Sequence, residues 1–178
     1  MKKRKLLIAT TNKGKFDEIT HFLGDLPFQL ISLHDLPKKI KPPEETENTI
    51  EGNAIIKARY YGDKTGLLTI VDDTGLFVDA LDGWPGAHSA NIASSTKEGL
   101  KLLLDKLKDK KKRSATFRNL CIVYDPSEHV FFSAYGEARG TILRQPATAK
   151  LILPWGYNPV FYVSEAGKTY AEMTLQEK

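Results

Sequence analysis

Three short stretches bring together side chains suited to handling phosphate. Thr11-Asn12-Lys13-Gly14-Lys15 follows an apolar run and is rich in hydrogen-bond donors. Placed at a helix N-terminus, its backbone N–H groups, hydroxyls, amide and two ammonium groups can surround a phosphate chain. Asp72-Asp73 follows the apolar run Leu67 to Val71. Adjacent carboxylates repel unless a cation or proton intervenes, which makes Mg²⁺ a natural occupant. Lys57 follows Ile50 by seven residues and so falls near the stripe of Ile50, Ala54 and Ala58, where an ammonium group needs an anionic partner. Asn53, one turn earlier on the same edge, points a second polar group the same way.

Each stretch taken alone also has an ordinary structural reading. The first suits a strand-to-helix turn pivoting on Asn12 and Gly14, and it lacks the spacing of a P-loop. Asp72 can turn the chain while Asp73 is solvated, and Lys57 can reach water along its own stem.

The elements that would position these residues alternate. Lys5 to Thr10 reads as a strand, and Phe16, Ile19 and Leu23 then recur at helical spacing. Phe28 to Leu33 reads as a second strand, followed by a connection through Lys41-Pro42-Pro43. The spacing predicts a helix from Thr49 to Gly62 and a buried strand from Leu67 to Val71 that ends in Asp72-Asp73-Thr74-Gly75. Leu100, Leu103, Leu104 and Leu107 mark another helix. Ala115 to Tyr124 and Val130 to Gly140 form a hairpin through Asp125-Pro126-Ser127-Glu128, with Gly136 marking a bulge. Alternating strands and helices followed by a hairpin give an α/β domain with a mixed sheet. In such sheets ligands gather beyond the carboxyl ends of strands, where both the lysines and the aspartates are expected.

Composition narrows the class. The 178 residues suit a single domain, and 41% hydrophobic with 27% charged residues are globular proportions. No apolar run approaches the ~20 residues of a membrane span, and the run behind MKKRK is too short for a signal peptide, so a cytoplasmic protein is expected. The net charge of +4 favours an anionic partner. Lys110 to Arg113 contains no aromatic residue and reads as a solvated loop, which argues against nucleic acid. Cys121 stands among Leu120, Ile122 and Val123 as a structural thiol.

TTNKGK, EETENTIEGNAIIKAR, VDDTGLFVDALDGWPGAHSA and WGYNPVF followed by GKTYAEMTLQEK, in this order, resemble the inosine/xanthosine triphosphate pyrophosphatases over almost the whole chain. The resemblance implies an elongated α/β fold with a mixed sheet flanked by helices. It also implies two lobes with a central cleft, a homodimer, and Mg²⁺-dependent hydrolysis of non-canonical purine nucleoside triphosphates to the monophosphate and pyrophosphate. Thr10, Thr11, Asn12, Lys13, Gly14 and Lys15 match the triphosphate loop. Glu45 and Asp73, with Glu44 and Asp72 beside them, match carboxylates of metal binding and catalysis, and Lys57 matches a phosphate-binding lysine. Asp73 takes the part of general base, and Thr74 that of a substrate contact. Trp155, Gly156, Tyr157 and Asn158 match the base-recognition block, and Lys178 a lysine that touches the nucleotide from the far lobe.

The chain departs from that pattern in places. Asn158 stands where the family has an aspartate, Gly52 where it has a glutamate, and Asn91 where it has an arginine. Lys178 precedes the family's Ser-His-Arg motif, so selection between 6-keto and 6-amino purines is expected to be weaker than in the family. Two alternatives to this enzyme stand beside it: a related pyrophosphatase for other modified nucleotides, and a non-catalytic nucleotide-binding module.

Overall fold

A computed structural model describes residues 3–148, 151–154 and 156–178. By internal contacts the chain divides into two compact units, residues 1–73 with 119–135 and residues 74–118 with 136–178. Among the described residues, eight strands form one mixed sheet in the order β2-β1-β3-β5-β6-β7-β8, with β4 paired to β3.

The first unit opens with β1 (Arg4–Ile8), which pairs in parallel with β2 (Phe28–Ser32). On its other side β1 runs parallel to β3 (Leu68–Val78), with Leu6 opposite Leu68 and Ile8 opposite Ile70. Helix α1 (Lys13–Leu23) lays Phe16, Ile19 and Leu23 on the face formed by Leu6, Ile8, Leu68 and Ile70. Cys121 and Val123 of β5 (Ser114–Asp125) complete this cluster. Helix α2 (Ile50–Thr65) begins at Thr49, whose Oγ1 accepts from the Gly52 N–H, and buries Ile50, Asn53, Ala54, Ala58, Tyr61 and Gly62. Small residues on that stripe let the helix approach the sheet closely: a Cβ at Gly62 would stand 2.5 Å from the Tyr124 ring. The turn at residues 126–129 leads from β5 into β6 (Val130–Ile142). There the Asp125 carboxylate accepts from the Ser127 N–H and pairs with Arg4 at 2.6 Å.

The second unit contains β4 (Pro85–Gly86), α3 (Thr96–Lys106), β7 (Phe161–Val163) and β8 (Lys168–Thr169). Its core gathers Leu76, Val78, Leu103, Leu107, Ile142, Val160, Phe161, Tyr170 and Met173. The Phe117, Phe161 and Tyr170 rings meet within it.

Several expectations need correction. β3 does not stop at Val71 but continues to Val78, so Asp72 and Asp73 lie inside a strand. Asp and Gly are poor strand formers, and partners outside the strand override that preference here. β2 ends at Ser32, because the Ser32 hydroxyl accepts from His34 N–H and starts a short 3₁₀ turn at Leu33. β6 runs on to Ile142, two residues beyond the expected end at Gly140. Arg113 is buried rather than solvated, donating to the carbonyls of Leu107, Ile142 and Leu143. No described helix is long and apolar enough to cross a membrane.

Candidate active site

Side chains alternate across a strand, so Asp72 and Asp73 leave β3 on opposite faces. Asp72 shares the face of Leu68 and Ile70, over which α1 lies, and meets Lys15 from that helix at 3.1 Å. Asp73 faces α2 and meets Lys57 Nζ at 2.7 Å. Each carboxylate thus has its own lysine, which removes the repulsion expected of neighbouring acids. The two carboxylates therefore leave the strand on opposite faces, Asp72 toward α1 and Asp73 toward α2.

Lys57 is the hub of the α2 face. Its ammonium also lies 3.1 Å from Glu45 Oε1, and the side chains of Lys57, Asp73 and Glu45 are only 15%, 10% and 26% exposed. It does not reach for water along its stem. Burial disfavours the Lys57 charge, but Asp73 and Glu45 outweigh it and hold the ammonium above its ordinary value. Burial pushes the Asp73 carboxyl above the usual carboxylate range, against the pull of Lys57 and Lys15. Asp73 is therefore a stronger base than a solvated aspartate.

Asn53 arranges this group instead of pointing at a ligand. Fully buried, it accepts from the Glu47 N–H at 3.0 Å and donates to the Glu47 carbonyl at 2.9 Å. This fixes the chain two residues beyond Glu45. Gly52 has a related cause, since a Cβ there would stand 2.5 Å from Glu47 Cγ. Glu44 is exposed beside Glu45.

The loop after β1 differs from a bare phosphate cradle. Asn12 caps α1, its Oδ1 accepting from the N–H groups of Gly14 (2.8 Å) and Lys15 (3.3 Å). Those two donors, expected to face a ligand, are already engaged. Thr10 Oγ1 accepts from Asn12 N–H, Thr11 is exposed, and Lys13 turns outward to Asp17. Lys15 is the member aimed at the acids.

Asn119 on β5 escaped the sequence reading. Its Nδ2 donates to Asp72 Oδ2 at 2.7 Å. The available signal was an amide two residues before Cys121, hence on the same strand face as Cys121 and Val123. Burial pushes the Cys121 thiol up to about 11, so at neutral pH it stays protonated and structural.

The residues of the other block lie in the second unit. Tyr157 is buried and donates to the Ser89 carbonyl at 3.0 Å, a packing role. Asn158 is buried, and its Nδ2 donates to the Leu153 carbonyl at 3.0 Å, so the amide is not free to turn as a carboxylate substitute. Gly156 adopts φ 58° with open space where a Cβ would stand. Lys178 Nζ lies over the Tyr170 ring at 5.2 Å. Thr74 follows Asp73 within β3, and Trp155 lies outside the described residues.

A divalent cation fits the α2 face. Asp73 Oδ2 is buried and accepts no hydrogen bond, while Oδ1 is held by Lys57. An orphaned carboxylate oxygen next to Glu45 is a donor set for a hard cation. Among the described residues no three acid, histidine or cysteine groups gather as a closed metal cage. Mg²⁺ does not require one, since it takes one or two carboxylates and completes its shell with phosphate oxygens and water.

Comparison with known proteins extends these observations. Residues 6–178 match the Ham1 family. The chain is 40% identical over 185 residues to the dITP/XTP pyrophosphatase of Yersinia pseudotuberculosis, covering 98% of this chain and 89% of that protein. It is 41% identical over 180 residues to the dITP/XTP pyrophosphatase of Geobacter sulfurreducens, covering 98% and 87%. Among solved structures, a HAM1 protein from Coxiella burnetii superimposes with a TM-score of 0.84 at 30% identity, covering 98% of this chain and 89% of that one. The Staphylococcus aureus Ham1 protein gives 0.83 at 30% identity, with the same coverage.

Proposed function

The chain belongs to the Ham1 family, and on that premise we infer that it hydrolyses non-canonical purine nucleoside triphosphates such as ITP, dITP and XTP to the monophosphate and pyrophosphate. The observation that carries the chemistry is the buried Asp73 carboxylate, raised in basicity, with one oxygen on Lys57 and the other without a partner.

In this reading Asp73 orients a water molecule toward the α-phosphorus and takes its proton as the P–O bond forms. The bond to the bridging oxygen breaks, and the electron pair leaves with pyrophosphate. Lys57 and Lys15 offset charge that builds on the phosphate oxygens. Glu45 and Asp73 would hold the divalent cation, which we take to be Mg²⁺, and when bound it neutralises phosphate charge and polarises the reacting oxygens. Thr10, Thr11 and Gly14 form the rim of the phosphate loop. The enzyme works in the cytoplasm as a homodimer, for which the exposed Val130 and Phe132, on one face of β6, offer apolar side chains.

Pyrophosphate release tests the reading, with Mg²⁺ and a panel of ITP, dITP, XTP and the four ordinary triphosphates. One pyrophosphate per monophosphate from the first three, lost on chelation and restored by Mg²⁺, is expected. Orthophosphate as the product, or no release from any substrate, would overturn it.

A further inference from the structure

We propose that Asn119 is a positioning residue that steadies Asp72 while Lys15 passes from that carboxylate to a phosphate of the substrate. The proposal rests on the phosphate-binding role of Lys15 in the proposed function. The two oxygens of Asp72 have different partners: Oδ1 lies 3.1 Å from Lys15 Nζ, and Oδ2 accepts from Asn119 Nδ2 at 2.7 Å. Because a carboxylate only accepts, the amide of Asn119 must present its NH₂ side, which fixes its orientation. Asn119 sits on β5, the sheet neighbour of β3, so two paired strands hold this contact in register.

Lys15 is differently placed. It comes from the first turn of α1, its side chain is 24% exposed against 10% for Asp72, and its Nζ also approaches the Asp72 carbonyl at 3.5 Å. A flexible stem bearing a point charge can exchange one anion for another without moving the backbone. When it turns to a phosphate, the Asp72 carboxylate would lose the Lys15 charge in a largely buried position. Hydrogen bonding from Asn119 lowers the cost of that step. Asp72 holds Lys15 ready, and Asn119 keeps that hold from becoming a trap.

Removing the donor should therefore weaken capture of phosphate more than it slows chemistry. In the full chain with ITP and Mg²⁺, Asn119→Leu is expected to raise KM by about tenfold, equivalent to about 1.4 kcal/mol, with kcat changed by less than about threefold. Asn119→Thr, which restores a donor on a strand-forming side chain, should recover most of that loss. In a Lys15→Met background, Asn119→Leu should change KM by less than about twofold, since the coupling runs through the lysine. Affinity for inorganic pyrophosphate, measured by calorimetry, should weaken in parallel with KM. A variant that loses kcat or melting temperature at unchanged KM, or whose KM effect persists without Lys15, overturns the proposal while the reading of the active site stands. A parent protein that neither binds pyrophosphate nor turns over any triphosphate removes both.

Discussion

Asp72 and Asp73 are neighbours in the chain yet belong to different helices' surroundings, one tied to Lys15 of α1 and the other to Lys57 of α2. Their substitution should separate accordingly. Asp73→Asn keeps the shape but cannot take a proton at neutral pH, and kcat is expected to fall by roughly 10²- to 10⁴-fold. Asp72→Asn leaves the base in place and should act on KM instead. Steady-state kinetics of both variants check this; comparable kcat losses in the two would show that the acids work as a single unit.

Lys57 sets the ionisation of Asp73. The carboxyl is raised by burial and pulled back down by Lys57, so its basic form is lost as pH falls through a value above the usual carboxylate range. Deleting the ammonium in Lys57→Met removes the downward pull. The acid limb of kcat/KM should move to higher pH, and the variant should lose more activity at pH 5 than at pH 8. Profiles collected at saturating Mg²⁺ decide it, and an acid limb that stays put or moves downward would exclude Asp73 as the titrating base.

Asn53 has a structural signature distinct from both. Its amide satisfies the N–H and the carbonyl of Glu47 in a fully buried position. Asn53→Leu strands both groups, and a loss of roughly 2–4 kcal/mol in stability is expected from two unsatisfied buried polar groups. Because the same segment carries Glu45, the Mg²⁺ concentration for half-maximal activity should rise as well. Denaturant unfolding and a metal titration measure the two effects, and a stability loss with unchanged metal dependence would detach Asn53 from the site.

Much of this arrangement was legible in the chain. The helical spacing of Ile50, Ala54 and Ala58 placed Lys57 near an apolar stripe and so demanded an anion for it, which the structure supplies twice over. Leu67 to Val71 reads as a strand buried on both faces without clean alternation, so the sequence does not tell which face each aspartate takes, and Asp-Asp-Thr-Gly has the composition of a turn. Only the helices and the neighbouring strand show why the ladder continues and why the acids part. Asn12 is ambiguous for a related reason, because the same amide that can meet a phosphate is also among the best helix caps. Asn119 depended on pairing between distant strands, which single-sequence periodicity does not report.

Asn158 tests how base selection is built. The amide donates to the Leu153 carbonyl and is buried, so it ties position 158 to Leu153. A carboxylate there has no proton to offer at neutral pH and would face a carbonyl oxygen, an acceptor against an acceptor. Asn158→Asp should thus cost roughly 1–3 kcal/mol of stability, the penalty for a buried polar group left unpaired. Its effect on the ratio of kcat/KM for ITP over ATP should be small, or adverse to both substrates alike. Thermal unfolding and the two-substrate comparison on the same preparation give the answer. An Asn158→Asp variant that melts like the parent and discriminates ITP from ATP more steeply would instead make position 158 a direct reader of the base, with the Leu153 contact incidental to it.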